Sequence, residues 1–155
     1  MLVHAPVTLA VLLPALCFGV LAAWRAGKLD REAWWIVVSV EVVTAAGAAA
    51  AVISGERDAE LVSRYVAAAA LELHEARAQI FVWTALGVAV LSAVVPWLRE
   101  ERDARLVALA VGIGSVVVAT LGASTAVVGG ELVYRHGAAQ AHPGYRGASG
   151  AVGPP

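Results

Sequence analysis

The stretch LVALAVGIGSVVVATLGASTAVV, residues 106–128, decides how this chain folds. It holds no Asp, Glu, Lys or Arg and is longer than the roughly 20 residues that carry a helix across a hydrocarbon core. A backbone surrounded by lipid must satisfy its own N–H and C=O groups, so an uncharged run of this length is read as a transmembrane helix. Three more runs follow the same rule, Val3 to Trp24, Ala33 to Ile53 and Ile80 to Leu98. The fold expected is all-α, an integral membrane four-helix transmembrane bundle.

Composition agrees with that solvent. The chain has 155 residues, 60% of them hydrophobic, and its mean hydropathy is +0.77, far above the range of soluble domains. Eleven basic and twelve acidic residues leave a net charge of −1, which offers no electrostatic footprint for nucleic acid. Cys17 is the one cysteine, so neither an intrachain disulfide nor a thiolate cluster is available, and it reads as a small packing residue.

The first run is expected to be a retained helix rather than a secretory signal peptide. Its positive residues, Arg25 and Lys28, come after the apolar stretch rather than before it. Pro6 falls in the first turn, where its missing N–H costs nothing, while Pro14 lies mid-span and is expected to kink the helix.

Orientation follows from two short connections. Arg25 to Glu32 and Arg99 to Arg105 hold Arg25, Lys28, Arg31, Arg99, Arg102 and Arg105, six of the eleven basic residues. The positive-inside rule places these loops in the cytoplasm, and an even number of spans then puts both termini on the outer, periplasmic side. Trp24, Trp34, Trp35 and Trp97 lie at the same boundary, where aromatic rings settle. The implied location is a bacterial inner membrane, multi-pass, with the lipid bilayer as first partner. With flanking turns the spans cover about 3–24, 33–53, 74–98 and 106–134 of a transmembrane domain 1–137, and the Gly, Ala and Pro-rich residues 138–155 form a flexible tail. Gly55 to Leu73 reads as a helix that either lies on the outer surface or lengthens the third span.

Small residues recur every fourth position: Ala15, Gly19, Ala23; Gly47, Ala51, Gly55; Ala85, Ala89, Ala93; Gly122, Ala126, Gly130. Such ridges let helices approach closely in lipid, and they also suit the face of a flat cofactor. Ridges left facing lipid in a monomer favour a subunit of a larger assembly.

The polar residues then gather by level. His4 begins the first span, His74 precedes the third and His136 follows the fourth, all at the outer face; His142 lies in the tail. His136 would share a helix face with Gly129, Thr125 and Gly122, and His74 stands near Arg77 and Phe81, so a planar ring fits between the two helices. Histidines on facing helices are a usual way to hold haem iron or a late transition metal. Haem b also needs cations for its propionates, and Arg77, Arg135 and Arg64 are at that level. Three histidines equally suit Cu or Zn, and the plainest alternative is interfacial histidines bonded to headgroups or carbonyls. Glu131 pairs with Arg135 four residues on. Tyr134 is an interfacial anchor, or a hydroxyl for a propionate or quinone.

Glu41 lies roughly 10 Å inside the second span from Trp34. An ionisable group at that depth is paired, neutral or part of a proton path; Ser39, Thr44, Ser92, Ser115 and Thr120 are its candidate partners. Neither a nucleophile constellation nor a phosphate loop occurs, so no catalytic residues and no catalytic activity of its own are expected.

Two stretches resemble a known family. Val3-His4-Ala5-Pro6-Val7-Thr8-Leu9-Ala10 is similar to the histidine-proline start of the bacterial DUF2231 membrane proteins, and Gly129 to Gly137, GGELVYRHG, looks like their closing signature. His74 stands where that family places a histidine near the start of the third span. Ala5 departs from the aromatic residue usual after the first histidine. The resemblance covers nearly the whole chain and implies a small four-span protein in an electron-transfer setting. Some members resemble b-type cytochromes in layout, and some are joined to Rieske or cytochrome c modules. On this reading the protein is a membrane-anchored b-type cytochrome or cytochrome-like subunit, His74 and His136 the axial ligands and His4 the reserve. Its partners are membrane or periplasmic redox subunits and quinone. The alternatives that stand beside it are a non-redox structural or assembly subunit and a Cu- or Zn-binding protein using His4, His74 and His136.

Overall fold

The computed structural model of the chain describes residues 5–63 and 66–134. Four helices account for nearly all of them: α1 Ala5–Arg25, α2 Trp34–Val62, α3 Ala68–Val94 and α4 Glu101–Tyr134. All four are long and apolar enough to cross a membrane. Each packs on two neighbours, α1 and α3 both lying between α2 and α4, so the bundle is a four-membered ring with one central core.

Hydrophobicity is not confined to that core. Trp83, Val90 and Val127 are 64–69% exposed on the outside of the bundle, and helices apolar all round belong where lipid is the solvent. The inward face is set by size. On α4 the buried positions run Ala104, Ala108, Val111, Ser115, Val118, Gly122 and Thr125, alternating steps of four and three. That is the seam spacing of helices packed at shallow angles, and here small residues fill it. The every-fourth ridges are only partly the packing surface: Ala85 and Ala89 are buried, but Ala15 and Gly19 of α1 face outward, and α2 buries Ala45 and Ala48 instead.

The two short connections close one end. Gly27, with φ at +66°, ends α1 in a Schellman arrangement, Lys28 N–H donating to Ala23 O at 2.9 Å and Gly27 N–H to Trp24 O at 3.0 Å. A 3₁₀ turn at Arg31–Ala33 leads into α2, and Arg31 Nη1 donates to Leu98 O at 2.6 Å, tying this loop to the one between α3 and α4. The four tryptophans do collect at this end, but in two different roles. Trp24 and Trp34 are buried with ring centroids 6.4 Å apart, Trp34 Nε1 donating to Ser92 Oγ at 3.2 Å, and Arg105 caps the Trp24 ring at 5.6 Å. Trp35 and Trp97 stand exposed, edge to face.

The opposite end is taller than a bilayer requires. The 29, 27 and 34 residues of α2, α3 and α4 are about 40–50 Å of helix against a hydrocarbon core of about 30 Å. Gly55 to Leu73 is therefore neither a surface helix nor a simple extension of one span. It divides between the end of α2 and the start of α3, and the overshoot is held by a satellite cluster of Val66 and Leu132 with Val62, Ala70 and Leu71. The expected tail, residues 138–155, lies outside the described residues.

Candidate functional site

The overshooting ends of α2, α3 and α4 surround a cleft of about 780 Å³, within the roughly 300–1,000 Å³ typical of small-molecule and cofactor sites. Its walls are small and apolar: Ala48, Ala51 and Gly55 from α2, Ala126 and Gly130 from α4, with Phe81 of α3. Glu56, Glu72 and Glu75 reach its lining as well. Among the described residues, one histidine opens into it, His74.

The helix pairing explains how His74 is held. Gly129 of α4 faces the imidazole so closely that a Cβ there would sit 3.0 Å from His74 Cε1. Two turns deeper the same relation repeats, Gly122 lying under Phe81 with a Cβ distance of 3.1 Å. The small-residue strip on α4 is thus filled by His74 and Phe81 themselves, rather than left open for a planar ring between α3 and α4. Space for a ligand lies instead on the cleft side of His74. The Nδ1 of the imidazole is buried without a hydrogen-bond partner. A buried imidazole nitrogen without a partner is costly, and ligation of a metal is one way to satisfy it.

Of the other expected site residues, Arg77 is on α3 at the same end, its Nη1 3.5 Å from Ser124 O, and Tyr134 closes α4, 89% exposed. His4, Arg64, Arg135, His136 and His142 lie outside the described residues, and with them the second half of any histidine pair and the Glu131–Arg135 ion pair. Among the described residues no three His, Cys, Asp or Glu side chains converge.

Glu41 is fully buried, and its partner is one that sequence reasoning missed. Cys17 Sγ lies 4.0 Å from Glu41 Oε1, while Glu41 Oε2 has no partner. The hydroxyls considered for it are engaged elsewhere. Ser39, Thr44, Ser115 and Thr120 each donate to a carbonyl of their own helix, and Ser92 accepts from Trp34. The signal that was available is depth: Cys17 precedes the boundary residue Trp24 by seven positions, and Glu41 follows Trp34 by seven.

Compared with known proteins, residues 1–142 match the model of a family described as a predicted membrane protein (DUF2231). No curated protein and no solved structure matches the chain.

Proposed function

The chain belongs to the DUF2231 family of predicted membrane proteins, and we propose that it serves there as a membrane-anchored b-type cytochrome, a one-electron carrier within a larger redox assembly. The observation that carries this reading is His74, an imidazole with a buried, unsatisfied nitrogen at the edge of a cofactor-sized apolar cleft. Bound haem would supply a reversible Fe(III)/Fe(II) couple, set by its axial ligands and by the polarity around it.

The chain's own residues then have separate tasks. His74 would hold the iron, its ring pressed into place against Gly129. His136 is proposed as the second ligand, with His4 in reserve. Arg77 and Arg135 are proposed to meet the propionates, and Tyr134 to stand at the mouth, toward quinone or a redox partner at the outer face. Ala48, Ala51 and Ala126 keep water from the ring faces. In this account the two short loops face the cytoplasm of a bacterial cell and the cleft faces outward.

A second reading has its own support. Ala15 and Gly19 of α1 face outward, and a Cβ on Gly19 would meet nothing within 4 Å. An unfilled small-residue ridge suits close approach by another transmembrane helix, as in a non-redox assembly subunit. Haem content separates the two. Protein purified from haem-replete cells should carry about one non-covalent haem b per chain, falling severalfold in His74→Ala. A haem-free wild type from such cells sinks the cytochrome reading and leaves the assembly subunit.

A further inference from the structure

Nearer the two short loops, the bundle core carries an acid that the cleft does not use. Glu41 of α2 is fully buried, and so is Cys17 of α1, whose thiol donates to Glu41 Oε1 across 4.0 Å. A thiol is a weak donor, and Oε2 is buried with no partner at all. Hydroxyls do not fill the gap. Thr44 donates to Val40 O at 2.8 Å and Ser115 to Gly112 O at 2.7 Å, while Ser92 Oγ accepts from Trp34. Cations do not fill it either, since Arg105 is paired with Glu101 at 3.0 Å and Arg77 Nη1 lies 3.5 Å from Ser124 O. Among the described residues, the buried polar side chains are Glu41, Thr44, Ser92, Ser115 and Thr125. Thus α3 and α4 bring hydroxyls to this core, α1 a thiol and α2 a carboxyl.

Both protonation states of that carboxyl are incompletely served. As a carboxylate it has no counter-charge, and as an acid its Oε2–H has no acceptor. An ion pair would fix the first form and a carbonyl acceptor the second. With neither present, the group is free to exchange one form for the other, and an ionisable residue held at this depth is a functional group by default.

We propose that Glu41 is a proton-binding site coupled to the cleft, taking up a proton when the cleft cofactor gains an electron and releasing it when the electron leaves, an inference that rests on the haem reading of the cleft. Placement supports the coupling. Ala48 of the cleft wall is seven residues from Glu41 on α2, about two turns or 10 Å. Between them Thr44 and Ala45 are buried, as are Leu13 and Ala10 of α1, and none of these carries a charge. At an effective dielectric constant of about 20, a unit charge roughly 12 Å away changes proton affinity about tenfold. The sign follows from the electron. Added negative charge favours the neutral acid over the carboxylate, so reduction and protonation go together. A one-electron donor takes Fe(III) to Fe(II), and a solvent proton forms an O–H bond on the Glu41 carboxylate; an acceptor reverses both.

The test is the reduction midpoint of the full haem-loaded chain against pH, in wild type and Glu41→Gln. The midpoint of wild type is expected to fall, from acid to alkaline pH, by about 59 mV more than that of the variant, the tenfold affinity change expressed for a one-electron couple. Cys17 and the cleft residues Glu56, Glu72 and Glu75 are common to both proteins, so the difference isolates Glu41. Infrared difference spectra give a second readout. Within the titration interval, reduction of wild type should add the carbonyl stretch of a protonated carboxyl, shifted in heavy water and absent from Glu41→Gln. That band in wild type decides alone should the variant not fold. Identical midpoint curves overturn the proposal, as does a wild-type spectrum without the carboxyl band. A chain without haem removes the cleft reading and the coupling together, whereas haem with identical curves removes the coupling alone.

Discussion

At Gly129 the missing side chain is what gives His74 its place. A Cβ would stand 3.0 Å from the imidazole, a distance that a small adjustment absorbs for alanine but not for a branched side chain. Gly129→Leu is therefore expected to push the ring toward the cleft and lower bound haem several-fold, read from the Soret absorbance per chain, while Gly19→Leu, which meets nothing within 4 Å and lies outside the cleft, changes it little. Gly112 makes a purer stability test. Its Cβ would come 2.8 Å from Phe18 Cε1, an overpacking that costs about 1–3 kcal/mol, so Gly112→Val should unfold earlier in a detergent thermal melt than wild type. Residue identity announced some of this. A histidine just before a span and a glutamate inside one are conspicuous against an apolar background. Cys17 was not, because a buried cysteine beside aliphatic neighbours looks like packing until a second helix shows what faces it.

Among the elements, four long uncharged runs were enough to identify α1 to α4, since lipid leaves the backbone no other economy of hydrogen bonds. Where helices end outside the membrane was less legible. Gly55 to Leu73 mixes charges with alanine and continues helical periodicity, and only the packing of Val62, Val66, Leu71 and Leu132 shows that the chain turns between α2 and α3. The direction of the small-residue ridges was likewise hidden, because spacing tells which residues share a face and not which way that face looks. On α3 the ridge is internal; on α1 it is external. That contrast gives a test. Gly19→Leu adds bulk where nothing lies within 4 Å, so the isolated protein should keep its melting temperature. The native complex, sized in mild detergent from the source membrane, should shift to smaller species if the α1 face is an assembly surface; an unchanged size removes that role.

For the whole molecule, the ring of four helices puts both described ends at the cleft and the two basic loops at the other end. Sidedness rests on Arg and Lys placement alone. Lys28→Cys should react with a membrane-impermeant maleimide in inverted vesicles and stay silent in intact spheroplasts, and buried Cys17 contributes no background; the reverse pattern would turn the cleft toward the cytoplasm. The layout also separates two centres by depth, an apolar cleft with His74 at one end and the Cys17–Glu41 pair deeper toward the other. The central claim is that the first of these holds haem. The reduced-minus-oxidised spectrum of the purified chain tests it most directly, taken beside His74→Ala. Sharp α and Soret bands of low-spin b haem, lost in the variant, are the predicted result. A wild type from haem-replete cells with no such bands, or a variant that keeps them unchanged, would contradict it.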